Sequence, residues 1–200
     1  MAINKTGPAP RTPSAPSGPR ERRLSQEMWL AEALQVLTKN GNAKLRVDNI
    51  ARALGVTKGS FYWHFKNRED FVAGIIDYWD KQFTRPVLET VSANTGDARH
   101  RLWVLMEMVH SRDYARYDAS VRAWAAQEPW IFDLCSQVDA TRHRFARSLF
   151  AEIGFEGLEC EMRARACVAY LSYGVAAGPR LNKADRLRML KLQHELLTRS

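Results

Sequence analysis

The apolar positions of the chain recur with helical spacing and predict two short helices near its N-terminal end. Between residues 30 and 37 they follow the i, i+3, i+4, i+7 pattern of one helix face, and the pattern ends at Asn40-Gly41. The same spacing returns between residues 47 and 54 and stops at Gly55. A glycine at each boundary favours a turn, so two separate helices are predicted.

A third short helix is predicted directly after the second glycine. Thr57 is placed to cap it, because its hydroxyl can accept a hydrogen bond from the backbone N–H of Gly59 or Ser60. Phe61 and Phe65 stand four residues apart and form its inward face. The outward side chains mix cations, hydroxyls and rings: Lys58, Ser60, Tyr62, Trp63, His64 and Lys66. Soluble proteins rarely expose neighbouring tyrosine and tryptophan side chains without a partner.

Long apolar stripes continue through the rest of the chain and predict a helical body. The segment 71–83 leads away from the third helix as a helix that Pro86 bends or ends. Five more helices are separated by glycine and proline signals, and no alternating strand pattern competes with them. They are predicted over residues 97–110, 112–127, 129–153, 157–177 and 183–198. The predicted fold class is therefore all-α, with a small three-helix domain over residues 24–70 and a larger helical domain over residues 71–200.

The last predicted helix carries apolar side chains on two sides. Leu187, Leu190 and Leu197 fall on one face at 3.6 residues per turn, and a second apolar set falls on the opposite face. Such a helix packs on its own body and on something else, and a second copy of the chain is the simplest partner. We therefore predict a two-fold dimer through residues 157–198. The predicted interface residues are Met162, Tyr170, Met189, Leu192 and Leu196.

Composition adds a preference for a polyanionic partner. The chain has 200 residues, a formal net charge of +8 and a pI of about 9.7. Residues 1–23 are rich in proline, glycine and serine and are predicted to be a disordered basic tail, which either touches phosphate or has no role. Between residues 44 and 68 a compact basic patch faces only Asp48. Its cations are Lys44, Arg46, Arg52, Lys58, Lys66 and Arg68.

Cysteine usage and hydropathy predict a cytoplasmic protein. Cys135, Cys160 and Cys167 form an odd set without CxxC spacing, which argues against a disulfide framework or a zinc ribbon. Cys160 and Cys167 share a helix face, where burial is favoured over redox sensing. No stretch is long and apolar enough to span a membrane, and the N-terminus lacks the apolar run of a signal peptide. No membrane partner is expected.

Two short helices joined by a glycine turn, of which the second presents cations and rings, are typical of a helix-turn-helix unit. The last helix of such a unit can enter the DNA major groove, and the free N–H groups at its start suit a phosphate. Gly59 removes side-chain bulk there and would let the backbone approach the duplex. Lys58 or Ser60 can then reach base edges.

The segment DNIARALGVTKGSFYWHFKNREDFVAGI resembles the DNA-binding segment of the TetR (tetracycline-repressor) family of bacterial transcription regulators. The similarity rests on Ile-Ala, the Gly-Val turn, a small hydroxyl position, and the Tyr, His, Phe and basic residue that enter a long helix. It covers residues 24–75, about a quarter of the chain. The resemblance implies an N-terminal helix-turn-helix domain and a larger helical domain for ligand binding and dimerisation. Asp48 stands where some members place a base-reading cation, which leaves the operator sequence open.

The resemblance also implies roles for individual residues. Thr57 and Tyr62 would hold phosphates, and Arg68 occupies the usual basic phosphate-contact position. Trp63 and His64 would support the backbone contact; the alternatives are packing of Trp63 on the flank of the helix and a neutral, satisfied His64. The residues implied to lie against bases are Lys58, Gly59 and Ser60, and the predicted DNA-binding set is completed by Arg46 of the basic patch.

An effector pocket in the C-terminal domain is a further implication of the resemblance. Aromatic and methionine side chains of this region could line a cavity for an apolar or aromatic small molecule, and the alternative is ordinary core packing. Arg122 and Glu128 are interpreted as structural ion partners. No cofactor is expected. The predicted pocket residues are Trp103, Met106, His110, Tyr114 and Trp124.

Enzymatic alternatives have weaker support in the sequence. Glu107 and His110 form one ExxH pair, but a di-iron site needs a second pair and further glutamates. HExxH, GxSxG and phosphate-loop patterns are missing, so neither a catalytic nor a metal site is predicted. We therefore expect a homodimeric repressor of a palindromic operator that is released by a small effector. The alternative is a helical protein that binds DNA through charge alone, and an α-helical enzyme is a distant third.

Overall fold

The structure, a computed structural model, describes residues 25–112, 114–173 and 181–199. These residues form helices and connecting turns without a strand, which confirms the all-α prediction. The predicted basic tail over residues 1–23, and residues 174–177 at the end of one predicted helix, lie outside the described residues. The α-helices in these ranges are α1 Gln26–Asn40, α2 Val47–Leu54, α3 Arg68–Phe83, α4 Arg85–Ser92, α5 Ala98–Ser111, α6 Ala115–Ala125, α7 Pro129–Ile153, α8 Gly157–Tyr173 and α9 Lys183–Thr198.

Glycines set the boundaries of the first two helices, as the sequence predicts. α1 begins after Ser25, whose side chain accepts a backbone N–H of the first turn, and it ends at Gly41. α2 ends at Gly55, which has a φ of 70° in the left-handed region that glycine adopts without strain. The N–H of Val56 then donates to the carbonyl of Ala51 at 3.0 Å, which closes the turn.

The third element of this unit differs from the prediction, because it is a 3-10 helix, Lys58–Trp63, rather than an α-helix. The backbone N–H of Ser60 donates to the Thr57 carbonyl at 3.1 Å, three residues back. The Thr57 side chain makes no capping bond, so the predicted capping hydroxyl is wrong. An element of six residues can form few i→i−4 hydrogen bonds, and Gly59 near its start has a low helix propensity. Both favour a short 3-10 helix over an α-helix.

α3 connects the N-terminal unit to the helical body. Its buried face runs along its length and packs on α1, where Gly74 leaves room for Leu30: an added Cβ would lie 3.0 Å from the Leu30 side chain. α3 ends at Phe83, three residues before Pro86, and Pro86 lies in the first turn of α4, so the predicted helix ends just before this proline. The buried residues of α3 are Phe71, Val72, Ile75, Ile76 and Trp79.

Two apolar cores hold these helices together. The first joins the N-terminal unit and α3 to side chains of α6 and the start of α7, among them Tyr117, Trp124 and Ile131. The second lies among α4, α5, α8, α9 and the later part of α7. The 25-residue α7 contributes to both, so the N-terminal unit and the body are packed against each other rather than joined by a linker.

Candidate DNA-binding surface and effector cavity

Two large aromatic side chains of the 3-10 helix point into solvent. Tyr62 is 64% exposed and Trp63 is 88% exposed, whereas Phe61 and Phe65 are buried as predicted. Phe61 is packed edge-on against Trp29 at 5.6 Å and against Phe71 at 5.1 Å between ring centroids. The inward rings therefore anchor the short helix, and the exposed pair is held at the surface without being part of the core.

Gly59 lies between these rings and the start of the helix. Its backbone does not have a positive φ, and an added Cβ would meet only the Thr57 hydroxyl at an ordinary contact distance of 3.7 Å. Neither the backbone conformation nor the packing of the chain itself therefore requires glycine here. The residue leaves a bare strip of backbone on the exposed surface, next to Lys58 and half-buried Ser60.

Lys58 is held by an acid of the preceding helix. Its Nζ lies 3.2 Å from the carboxylate of Asp48, and both side chains are more than half exposed. Arg46 is exposed at the start of α2, and its side chain makes no capping bond there. His64 is half-buried, and its carbonyl accepts a hydrogen bond from the Gln26 side chain at 3.3 Å. Lys58 thus lies on the 3-10 helix and His64 directly after it, and Arg46 lies at the start of α2.

Arg68, at the first position of α3, makes a contact that the sequence does not predict. Its guanidinium binds Glu128 with two parallel bonds, from Nη2 at 2.7 Å and from Nη1 at 3.1 Å. The indole N–H groups of Trp124 and Trp130 donate to the same carboxylate at 3.1 and 3.2 Å. These four donors fix Glu128 at the turn between α6 and α7.

The charge state of this pair follows from its geometry. The hydrogen bonds from Arg68 hold the pKa of Glu128 below its usual range, with smaller help from the Trp124 and Trp130 indoles. The hydrogen bond to Glu128 correspondingly raises the pKa of Arg68. Both groups are charged near neutral pH, so the contact is an ion pair between the first turn of α3 and the body.

An apolar cavity opens at the other end of α3. Its volume is about 50 Å³, counted as the space open to the centre of a water-sized sphere, and it is partly open to solvent. Most of its wall is aliphatic or aromatic, and its polar residues are Thr84, Tyr114, Asp118, Arg142 and Ser172. The apolar lining residues are Phe83, Val87, Leu88, Leu105, Val109, Ala146, Val168 and Leu171.

The five residues predicted for a pocket lie in several places. Tyr114 lines this cavity. Met106 is fully buried in the second core, and half-buried Trp103 of α5 lies edge-on to His194 at 5.6 Å. Trp124 is buried in the first core beside Glu128, and His110 is half-buried near the end of α5. The structure therefore brings one of the five to the cavity wall.

The polar end of the cavity is built on Asp118, which is only 4% exposed. Its carboxylate accepts bonds from Arg142 at 2.5 and 3.2 Å and from the Trp79 indole at 2.9 Å. Sequence reasoning missed this residue, although an acid on the buried face of α6, between Tyr117 and Val121, requires a buried partner. That partner comes from α7, and no local pattern identifies it.

The N-terminal part of the chain is similar in sequence to known bacterial regulators. Residues 30–75 match the family described as bacterial regulatory proteins, tetR family. The transcriptional regulator AcuR of Cereibacter sphaeroides is 36% identical over 81 residues, which cover 36% of this chain and 37% of that protein. The HTH-type transcriptional regulator AcrR of Shigella flexneri is 30% identical over 78 residues, 39% of this chain and 36% of its own. The chain thus matches little more than a third of the length of these relatives.

The fold is similar over much more of the chain. A transcriptional regulator from Rhodococcus sp. Rha1 superimposes with a TM-score of 0.71 at 20% identity, over 87% of this chain and 96% of its own. A putative transcriptional regulator from Saccharomonospora viridis, solved in complex with choline, gives a TM-score of 0.71 at 18% identity, over 88% and 96%. The family match over residues 30–75 includes α2, the 3-10 helix and the first half of α3. The exposed rings of Tyr62 and Trp63 lie in the 3-10 helix of this segment. Over residues 30–75 the chain therefore carries a TetR-family segment.

Exposed apolar side chains of the helical body lie on α8 and α9. Leu192 is 58% and Leu196 71% exposed on one face of α9, beside Met189, while Leu190 and Leu197 on another face are buried. Leu187, predicted to share the buried face, is partly exposed because it lies at the edge of that face. On α8, Met162 is exposed, as is Leu158 one turn before it, and Tyr170 is half-buried.

Metal sites and membrane spans were sought among the described residues. Over residues 25–112, 114–173 and 181–199, no group of three His, Cys, Asp or Glu side chains could hold a metal ion. Among the same residues no helix is both long and apolar enough to cross a membrane. Glu107 is exposed on α5, one turn from His110.

Proposed function

We propose that the protein is a homodimeric, sequence-specific transcriptional regulator, a repressor that leaves a palindromic operator when a small apolar or aromatic effector binds its body. The observation that carries the proposal is the exposed Tyr62-Trp63 pair beside Gly59 on a short helix within the TetR-family segment. Tyr62 lies edge-on to the buried Phe61 ring at 5.3 Å, and most of the surface of both exposed rings is left to solvent. A DNA backbone is the partner that suits rings, hydroxyls and cations together.

The proposed contacts divide into two kinds. Tyr62, Thr57 and Arg68 would bind phosphates, with Trp63 and His64 supporting them, and such contacts set the register of the protein on the duplex. Lys58, Gly59 and Ser60 would lie against base edges in the major groove, and Arg46 would add charge from the start of α2. Lys58 is available for this role because its bond to Asp48 is exposed and therefore weak.

The position of α3 supports coupling between effector and DNA. The helix has 16 residues, so it is about 24 Å long at 1.5 Å per residue. Arg68 lies at its first residue, and Phe83 at its last residue lines the cavity. A ligand that moves the cavity end would change the placement of the DNA-binding end in both subunits. The choline complex of the Saccharomonospora viridis neighbour supports a ligand-binding role for this fold.

A second copy of the chain would complete the assembly. The exposed apolar face of α9, with Met189, Leu192 and Leu196, and the exposed Met162 of α8 offer a surface of the kind buried between subunits. Two copies related by a two-fold axis would present their 3-10 helices to half-sites about 34–36 Å apart on one side of the duplex. Such a protein acts on chromosomal DNA in the cytoplasm and requires no catalytic chemistry.

The direct test is selection of bound duplexes from a random-sequence pool at about 0.15 M salt, where exposed charges are screened beyond about 8 Å. We expect a palindrome with half-sites one helical turn apart. Recovery of no motif, with binding that disappears equally on all sequences as salt rises, would instead support the charge-driven alternative.

Two substitutions separate base reading from phosphate binding on the selected operator. Tyr62→Phe should weaken binding to all duplexes alike, because it removes a hydroxyl that contacts the backbone. Lys58→Ala should relax the preference at particular base pairs, by about 1–3 kcal/mol for a lost base contact. Equal losses from both changes on every sequence would contradict the assignment of Lys58 to base readout.

A further inference from the structure

The chemistry of the cavity limits the class of effector, an inference that rests on the function proposed above. The wall is formed mainly by apolar side chains of α3, α4, α5 and α8, with Phe83, Leu88, Val109 and Leu171 among them. Burial of apolar surface is the main source of affinity in such a space. The polar groups at one end then decide which functional group a ligand can carry.

The acid of the cavity is already neutralised by the chain. Both oxygens of Asp118 accept hydrogen bonds, Oδ2 from Arg142 at 2.5 Å and Oδ1 from Arg142 at 3.2 Å and from Trp79 at 2.9 Å. The guanidinium of Arg142 also lies over the Trp79 ring at 4.7 Å. A ligand cation would therefore find no free carboxylate here, and it would compete with a fixed arginine for the one present.

The cations near the cavity are neutralised in the same way. Arg142 is satisfied by Asp118 and by the hydroxyl of Thr84, which accepts two of its N–H groups at 2.9 and 2.7 Å. Arg122 forms two bonds to Asp139 at 2.5 and 2.6 Å, and it donates to the Ser172 hydroxyl at 3.5 Å. A ligand anion would have to displace a carboxylate that already has good geometry.

Two buried hydroxyls of the cavity, those of Thr84 and Ser172, have capacity left for a ligand, and the half-buried Tyr114 hydroxyl, which accepts from Arg112 at 3.0 Å, is a third such group. Thr84 and Ser172 line the cavity and are each 2% exposed. The Thr84 oxygen accepts two bonds from Arg142, so only its proton remains to be donated, whereas the Ser172 oxygen accepts one bond from Arg122 and keeps its proton and one lone pair. A hydrogen-bond acceptor on the ligand would satisfy these protons, whereas a purely apolar ligand would leave them unpaired in a dry space.

We propose that the effector is an uncharged, mainly apolar molecule with a hydrogen-bond acceptor, such as a ketone, ester or amide, and that Thr84 and Ser172 donate to it. Carboxylates and ammonium ions are disfavoured because burial of a charge without a partner is costly. The ligand lies at the end of α3, so its acceptor contacts the residue that directly follows that helix.

The test uses three probes of similar length, 2-octanone, octanoate and hexyltrimethylammonium, titrated into the full-length protein without DNA in a calorimeter. We expect 2-octanone to bind at least about tenfold more tightly than either ion, a difference of about 1.4 kcal/mol. Tighter binding of octanoate or of the ammonium ion, or no binding of any probe at millimolar concentration, would overturn the proposal.

Variants tie the binding to the hydroxyls. Thr84→Val and Ser172→Ala should each weaken 2-octanone binding several-fold, whereas Thr84→Ser, which keeps the hydroxyl, should bind like the parent protein. Ser148→Ala, on the exposed surface of α7, is the matched control. Filling the cavity with Val168→Phe should abolish binding even if the hydroxyl variants are unstable, and unchanged binding there would place the ligand elsewhere.

Operator binding is measured separately on the ligand-free protein. A protein that selects an operator but prefers an ionic probe would refute only the effector class. A protein that binds 2-octanone as expected but selects no operator would refute the proposed function and leave the cavity chemistry standing. The two failures are therefore distinguishable.

Discussion

Arg68 and Glu128 are 60 residues apart in the chain and are joined by two parallel hydrogen bonds of 2.7 and 3.1 Å. The arginine belongs to the proposed DNA contact and the glutamate to the turn that begins α7. This ion pair therefore joins the proposed DNA-binding surface to the helical body. A guanidinium bound in this way cannot give its full donor set to a phosphate at the same time. If Arg68 contacts DNA as proposed, Glu128 competes with the phosphate for it.

Removal of the charge at Glu128 should strengthen DNA binding. In Glu128→Gln the arginine is free to bind a phosphate, so affinity should rise on specific and random duplexes alike, and the slope of log K against log salt should steepen by about 0.9. Fluorescence anisotropy over a salt series measures both quantities. Glu156→Gln, an exposed glutamate after α7, is the control and should change neither. Weaker binding by Glu128→Gln would mean that the pair orients Arg68 for DNA instead of withholding it.

The same pair should make folding stability sensitive to acid. Because the folded pKa of Glu128 lies below its ordinary value of 4.5, the stabilisation is complete above that value and is lost as pH falls through the lower folded value. At pH 7 the parent should be more stable than Glu128→Gln by about 1 kcal/mol, and the difference should shrink below pH 4. Urea unfolding at a series of pH values measures it. A difference that stays constant down to pH 3 would argue against this linkage.

Trp63 should matter for DNA and not for folding. The side chain is 88% exposed, so Trp63→Ala should change the free energy of unfolding by less than about 0.5 kcal/mol. The same change should lower operator affinity by about tenfold, or 1.4 kcal/mol. Phe61→Ala is the contrasting variant, because loss of that buried ring should cost about 3–5 kcal/mol of stability. If Trp63→Ala binds the operator normally, the tryptophan is only a surface feature of the helix.

Leu192→Glu should give a folded monomer. Leu192 is 58% exposed on α9, so a charge there is harmless to the isolated chain and unfavourable inside an apolar interface. Sedimentation velocity should show the change in mass, and operator affinity should fall with it. Lys191→Glu, on the charged side of the same helix, should remain dimeric. A dimeric Leu192→Glu protein would move the interface to another surface.

The three cysteines should be inert in the native protein. Burial raises the pKa of Cys135 to about 11 and that of Cys167 to about 12, and Cys160 is also buried. Thiolates are the reactive form, so a disulfide reagent at pH 8 should react very slowly before unfolding and with three thiols afterwards. Rapid reaction of one thiol in the folded state would reveal an opening that exposes the core.

The limits of sequence reasoning are visible in individual residues. Gly41, Gly55 and Pro86 act locally, through backbone conformation, and the helix boundaries that they indicate are confirmed. Whether residues 58–63 form an α-helix or a 3-10 helix depends on a few hydrogen bonds of similar energy. The spacing of Phe61 and Phe65 predicts a helix there but does not distinguish between the two types.

The predicted exposure of the rings followed from the same periodicity, whereas the partners of charged residues did not. Arg68 and Glu128 are separated by 60 residues, and Asp118 and Arg142 by 24. Pairing at such distances is set by how helices pack, and a single sequence carries no signal for it. One of the five residues predicted for a pocket, Tyr114, lies at the wall of the cavity, and any apolar helix face predicts core and pocket equally well.

The core that joins α1, α2 and α3 to Trp124 and Ile131 also restricts how the protein could have evolved. A DNA-binding domain with a separate hydrophobic core can be exchanged between proteins as a module. Here the N-terminal unit shares its core with the helical body, so a different body would have to supply matching side chains on α6 and α7. We therefore expect operator preference to change by substitutions on the surface of the N-terminal unit, and effector preference by substitutions around the cavity, while the shared core stays the same.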